Sequence, residues 1–291
     1  MADTSYSKRT GDRREGRQLR SLPASVRIAP YLLRRRSGAL CSLSDSIEVS
    51  AMEQWLRDKR GEGWAGLGFL HLLIAAYVRT VSMRPGINRF ISARRYYARN
   101  DILVVIPARR GNAGEIPVKV SFSPTDTVFD VYRRVNEALD EVRAEVGPGA
   151  AEKLANSFCR LPRFALRFAM MLVRALDYFD WLPRKWLDAS PYHASLSVLD
   201  LGSLGAAPAD PCLGEFGNLP CAVSFGAKRK TREPDGTSAG VERHYVDLRF
   251  SCDSRLTDSA YFAGAVKCLR YFMKNPQLLE LPPESVEDDV N

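Results

Sequence analysis

Histidine is scarce in this chain: His71, His193 and His244 are the three among 291 residues. Imidazole is the side chain that titrates near neutrality, so any acid–base chemistry draws on these three or does without a histidine. The six cysteines (Cys41, Cys159, Cys212, Cys221, Cys252 and Cys268) form no CxxC pair. Neither a zinc motif nor a disulfide framework is expected; reduced thiols, no metal and a cytoplasmic setting are. No run of 18 uncharged apolar residues occurs, which excludes a conventional membrane span. No apolar stretch opens the chain, so no secretory leader is expected. A glycine-rich phosphate loop, an HExxH helix and a nucleophile elbow are also missing.

What is present is an ordinary globular composition, 45% hydrophobic and 26% charged. Global disorder, collagen and a coiled-coil rod are thereby excluded. The net charge of +8 is unevenly placed: residues 1–36 hold ten Lys/Arg against three Asp/Glu, and residues 280–291 hold five acids and no base. The expected organisation is a disordered basic arm over 1–26, one domain over 27–280 and an acidic tail over 281–291. A solvated arm is the simpler reading of the basic segment, and nucleic acid is not an expected partner.

The pattern along the chain alternates between periods. Residues 39–49 suit a strand, and Ser50 is placed to cap a helix over Ala51–Lys59 that Gly61 and Gly63 stop. Helical spacing marks 67–82, where Phe69, Leu70, Leu73, Ile74, Tyr77, Val78 and Val81 share a face. Strands are expected over Arg89–Tyr97, Asp101–Ala108 and Ile116–Phe122, the last two joined by a turn at Arg110–Gly114. Asp126 or Thr127 caps a helix from Val128 to about Glu145, broken at Gly147-Pro148-Gly149. Residues 151–187 read as helical, punctuated by Pro162 and Pro183. Strands follow at 194–201, 219–229 and 243–252, with a turn around Pro234-Asp235-Gly236, and a last helix covers 259–274. The later strands lack the spacing of a doubly wound sheet. The expected fold class is α/β of the α+β type, a mixed sheet with helices packed mainly on one face.

One stretch carries chemistry in its pattern: Phe250-Ser251-Cys252-Asp253-Ser254-Arg255-Leu256-Thr257-Asp258-Ser259-Ala260, followed by Asn275-Pro276-Gln277-Leu278-Leu279. It resembles the end of the catalytic domain of the dihydrolipoyl acyltransferases of 2-oxoacid dehydrogenase complexes, which share the chloramphenicol acetyltransferase-like fold. The pattern in that family is Asp-His-Arg-x-x-Asp-Gly, a helix, then Asn/Asp-Pro-x-x-Leu-Leu. Leu201-Gly202-Ser203-Leu204-Gly205 resembles its Asn-Leu-Gly-x-x-Gly segment, and Cys221–Phe225 with Gly226 the strand after it. The likeness covers about residues 39–280 and is nearest to a short stand-alone bacterial branch. It implies that fold, a CoA or acyl-CoA ligand, and a homotrimer in which the motif turn of one subunit meets its neighbour's pocket. Residues 1–38 are too few for a lipoyl domain, so no lipoyl group is expected.

The departures bear on the reaction. Ser254 stands at the family's catalytic histidine position and Ser259 at its glycine. Leu199-Asp200 stands where the family has a hydroxyl for the oxyanion. Asp258 and Arg255 match, with orienting or structural roles implied. Thiol attack on a thioester needs a base, and a serine hydroxyl is not one at pH 7; losing a positioned base costs about 10²–10⁴ in rate. Losing an oxyanion donor costs about 10²–10³ more. The function expected is a CoA-dependent acyltransferase-like protein that is catalytically impaired, with Ser254 and Asp200 as degenerate positions and Asp258 as the orienting residue. The alternative is a non-enzymatic oligomeric interaction or membrane-surface protein on the same scaffold.

The remaining candidates read as structural. His71 lies in an apolar helix, His193 at a helix-to-strand corner, and His244 shares inward strand parity with Cys252, a core thiol. Between about 150 and 190 the chain carries a helical insert relative to the family. Arg160, Arg163, Arg167 and Arg174 fall at helical offsets 0, 3, 7 and 14 there, a basic stripe that can contact a membrane surface. A packed helix with a solvated stripe is the simpler reading.

Overall fold

The computed structural model describes residues 9–109, 115–144, 150–233 and 241–290. In chain order its elements are β1 (Gly16–Gln18), α1 (Ala24–Arg27), α2 (Ala29–Leu32), β2 (Leu40–Glu48), α3 (Ser50–Gly61), α4 (Phe69–Met83), β3 (Arg89–Ser92), β4 (Arg95–Arg99), β5 (Ile102–Arg109) and β6 (Glu115–Phe122). They continue with α5 (Val128–Ala144), α6 (Ala150–Cys159), α7 (Arg163–Tyr178), α8 (Arg184–Ala189), β7 (Leu196–Asp200), β8 (Cys221–Phe225), β9 (Arg229–Glu233), β10 (Val241–Asp253) and α9 (Ser259–Lys274). The turns expected at 110–114, 147–149 and 234–236 lie outside the described residues.

The main sheet has the order β2-β10-β8-β7-β5-β6, with β9 paired to β10. β7 runs parallel to β5 and β8, and the other pairs are antiparallel. The sheet is therefore mixed, as the sequence pattern led one to expect. The stretch read as one strand over 219–229 is two, because β8 and β9 pair with successive parts of β10.

Side-chain alternation gives the sheet two different faces. On β5, Ile102, Val104, Ile106 and Ala108 join the main core. Val105 points the other way, into a smaller cluster with Ala194, Leu213, Leu219 and Ala222. Helices α3, α4, α5 and α9 all contribute to the main core, so they cover one face. The spacing in α4 does more than predict a helix: every residue from His71 to Ser82 is buried. Each such apolar side chain contributes about 1.5–3 kcal/mol through burial. Thr127 and Asp130 cap α5 reciprocally, the Thr127 Oγ1 accepting from the Asp130 N–H and the Asp130 carboxylate from the Thr127 N–H. Ser50 makes no such cap; it lies inside α3, and its hydroxyl accepts the His244 N–H.

Two expectations are overturned outside the main sheet. The strand expected over 89–97 is a hairpin, β3 and β4, turning at Ala93 and Arg94 with φ of 49° and 59°. Left-handed backbone at two non-glycine residues is a costly turn that composition does not announce. Residues 9–26 are not a disordered arm: β1 pairs with β4, and Arg13 donates to the Asp177 carbonyl at 2.6 Å. Gly16 serves this pairing, since a Cβ there would meet the Ala98 carbonyl oxygen at 2.4 Å. The acidic segment after 280 also packs back, with Arg89 Nε donating to Asp289 at 2.7 Å.

The insert is three helices, divided at the two prolines that the sequence pattern marks. Pro162 precedes α7 and Pro183 precedes α8, each ending the run before it because the ring cannot continue a helix. Arg160 therefore lies off α7, and Arg163, Arg167 and Arg174 alone share that helix. Val173, Leu182 and Leu187 form a satellite core with Phe158, Leu176, Trp186 and Phe216. Among the described residues no helix is long and apolar enough to cross a membrane.

Candidate functional site

The turn after β10 is built on a buried carboxylate. Asp253, 2% exposed, accepts two hydrogen bonds from the Arg255 guanidinium, Nε at 2.8 Å and Nη2 at 2.6 Å. Arg36 Nε lies 3.6 Å from Oδ2 of the same carboxylate. Arg36 in turn donates to the Gly214 and Gly217 carbonyls at 2.6 and 2.8 Å, and Glu215 accepts the Arg36 and Ser37 backbone N–H groups. Burial lowers the Arg36 pKa against the pull of Asp253. Burial also opposes the charge on Arg255, but the bidentate pairing with Asp253 outweighs it and raises that pKa. Bidentate pairing of this kind fixes geometry as well as charge.

Ser254 projects from this rigid base. It is exposed, and its N–H donates to the Ala39 carbonyl at 2.8 Å. Among the described residues its hydroxyl has no hydrogen-bond partner, so no base prepares it. Asp258 sits at the start of α9, where its carboxylate accepts the Tyr261 N–H at 2.6 Å. Arg255 takes Asp253 as its carboxylate, not Asp258. Ser259 is exposed in the first turn of α9 without positive φ, so the position has no steric need for glycine and does not crowd the turn.

Asp200 lies elsewhere. It ends β7, and its carboxylate accepts the Ser203 N–H at 2.8 Å, closing the turn that ends with Gly205 at φ 71°. Asp200 is opposite Phe225, and Phe225 is opposite Leu248, six residues before Ser254. At strand rise this separates the two positions by about 20 Å along the sheet. One chain does not bring Ser254 and Asp200 together.

Beside the Asp200 turn is a cleft of about 450 Å³ that the sequence reading missed. Met52, Leu56, Phe69 and Phe225 wall it, and Glu53, Arg57, Arg60 and Lys228 line its polar side. Gly202 lets the backbones close up there, since a Cβ would meet the Gly226 carbonyl at 2.7 Å. His244 Nδ1 lies 2.8 Å from the Glu53 carboxylate, which also pairs with Lys228. Burial works against the Glu53 charge, yet Lys228 and His244 hold its pKa below the usual carboxylate range. The offsets 0, 4 and 7 of Glu53, Arg57 and Arg60 on α3 are the signal that could have marked this face.

The other candidates are held by structure. His71 Nδ1 accepts the Gly68 N–H at 3.2 Å at the start of α4, and burial pushes its pKa down to about 4. His193 is fully buried, with Nδ1 at 2.8 Å from the Ser190 hydroxyl and the ring edge-on to Phe216. Cys41, Cys252 and Cys221 stand abreast on β2, β10 and β8. Burial raises the Cys221 pKa to about 12 and pushes the Cys252 thiol up as well, which leaves neither of these two as a thiolate nucleophile. Among the described residues no group of three or more His, Cys, Asp or Glu is placed to hold a metal ion.

No family model matches the chain, and no curated protein matches it in sequence. Solved structures match its fold. The cubic core of a pyruvate dehydrogenase multienzyme complex superposes with a TM-score of 0.58 at 12% identity, over 97% of this chain and 98% of that one. The dihydrolipoamide acetyltransferase of Azotobacter vinelandii gives 0.58 at 14% identity, over 97% and 98%. A chloramphenicol acetyltransferase gives 0.56 at 12% identity, over 89% and 99%. At these identities the likeness is one of fold: a chloramphenicol acetyltransferase-like mixed sheet with helices on one face.

Proposed function

We propose that this chain is a CoA-binding member of the acyltransferase scaffold that has lost most or all of its transfer activity and works as a homotrimer. Ser254 carries the reading: it occupies the exposed tip of the motif turn with no base beside it. A thiol held there keeps its proton, since neither the Ser254 hydroxyl nor the paired Asp253 is free to accept it. On the other strand end, Asp200 presents a carboxylate where charge would develop, which opposes rather than supports an oxyanion. The roughly 20 Å between the two positions along one sheet is why the trimer belongs to the proposal; they can meet only across a subunit boundary. The cleft beside Gly202 suits a CoA thioester, with an apolar wall for the acyl arm and Arg57, Arg60 and Lys228 for phosphate charge.

The test is calorimetry of the intact protein with CoA and acetyl-CoA, alongside an acetyl-transfer assay with dihydrolipoamide. Expected results are saturable CoA binding, transfer at background, and little recovery from Ser254→His alone. Robust turnover by the unmodified protein, lost on His193→Ala or His244→Ala, would show that the base had moved. Absence of CoA binding defeats the ligand assignment, and a monomer mass by light scattering at micromolar concentration defeats the trimer.

A further inference from the structure

The outward side of α7 is unexplained by the fold and by the proposed ligand. Along this helix Val173 alone is buried. Phe164, Phe168, Met171 and Leu172 are 77%, 62%, 61% and 49% exposed. Their offsets of 0, 4, 7 and 8 put them on one arc of the helix. The chain then leaves the helix through Tyr178, Phe179 and Trp181, also exposed. Arg163, Arg167 and Arg174 run along one edge of the arc, because each lies within about 40° of the others at 100° per residue. The single acid of α7, Asp177, lies beyond the arginines on the side away from the arc and is held by Arg13. Surfaces of soluble proteins rarely gather apolar side chains so densely without a partner.

We propose that this face docks on an anionic lipid bilayer, with α7 lying flat at the headgroup level. The exposed apolar side chains all stand on the outward arc of a single helix. Its basic edge complements acidic headgroups, and Trp, Tyr and Phe at the helix end are side chains that settle at the water–lipid boundary. The helix is already formed and tied to the body, so the lipid need not order it. In an antiparallel two-fold contact between copies, the same arginine edge would face its own symmetry mate; a lipid surface sets no such repulsion. The contact is peripheral, and it stands whether or not the chain binds CoA.

The experiment is co-sedimentation of the full-length protein with vesicles of phosphatidylcholine alone and of phosphatidylcholine mixed with phosphatidylserine. Binding is expected to the mixed vesicles, weakening as salt rises. Replacing Arg163, Arg167 and Arg174 with Gln should lower the partition coefficient on the order of a hundredfold. The double change Phe164→Ser and Phe168→Ser should remove binding that survives in high salt. Both variants should unfold within about 2 °C of the parent, because the altered side chains are exposed. The proposal fails if the parent ignores phosphatidylserine vesicles, or if both variants bind as the parent does. It fails equally if light scattering shows that the Phe variant dissociates an oligomer which itself does not bind vesicles, for then the face is a subunit contact.

Discussion

Helices α4 and α7 are close in length, 15 and 16 residues, and both are rich in Leu, Phe, Met, Ala and Val. The first is buried from His71 to Ser82, while the second buries Val173 alone. The difference lies in what surrounds them and in where the charges fall. α4 lies among α5, α9 and β5, and its one charge, Arg79, reaches out of the core to the Leu278 and Leu281 carbonyls. α7 packs on a small satellite cluster, and its arginines border its apolar arc instead of opposing it. Apolar content therefore says how much surface a helix wants covered; the neighbours decide whether this chain does the covering.

The comparison can be broken from the α4 side first. Leu73→Ala removes a side chain with no exposed surface and should cost about 4 kcal/mol, by transfer and cavity together. Chemical denaturation reads this, and a loss under about 1 kcal/mol would mean that the core around α4 relaxes far more than its burial implies. Acid offers the next test. His71 has its pKa lowered by burial from 6.5 to about 4. The folded value is below the unfolded one, so this stability is whole above about pH 6.5 and drains as the pH falls toward about 4, where the unfolded chain binds a proton that the folded chain refuses. The loss across that window is about 3 kcal/mol, and His71→Gln should flatten it in a series of unfolding measurements against pH. The smallest effect belongs to α7. Arg13, 5% exposed, pairs with Asp177 and Asp180 at the end of that helix. Arg13→Ala should cost about 2 kcal/mol by leaving the two acids uncompensated, and hydrogen exchange should localise the loosening to α6–α8 while α4 stays protected.

Legibility followed the same division. Elements that bury a periodic face were readable from spacing: α4, α5, α9, β5 and β6 lie within a few residues of where periodicity puts them. The motif turn was readable because Asp253, Arg255 and Asp258 are close in sequence and their spacing is tied to a strand–turn–helix corner. The hairpin at Ala93-Arg94 was not, since the usual Asn-Gly signal of a left-handed turn is missing. β1 was hidden for another reason: a three-residue strand among arginines has no alternation to show, and its pairing with β4 is made by backbone groups. The cleft was missed because Glu53, Gly202, Lys228 and His244 come from four separate stretches of the chain, and no local pattern joins them. The even stripe read across Arg160 to Arg174 failed at Pro162, which restarts the helix and resets its phase.

The Arg13 clamp has a consequence in time as well as in space. Its partner, Asp177, lies 164 residues further along the chain. At synthesis rates of about 5–20 residues per second, the first segment leaves the ribosome about 8–33 s before the carboxylate it will pair with. During that interval β1 has no insert to hold, and closing so long a loop is slow compared with forming the local helices. The segment around Arg13 is thus an early-made part that pairs with β4 first and closes on the insert last.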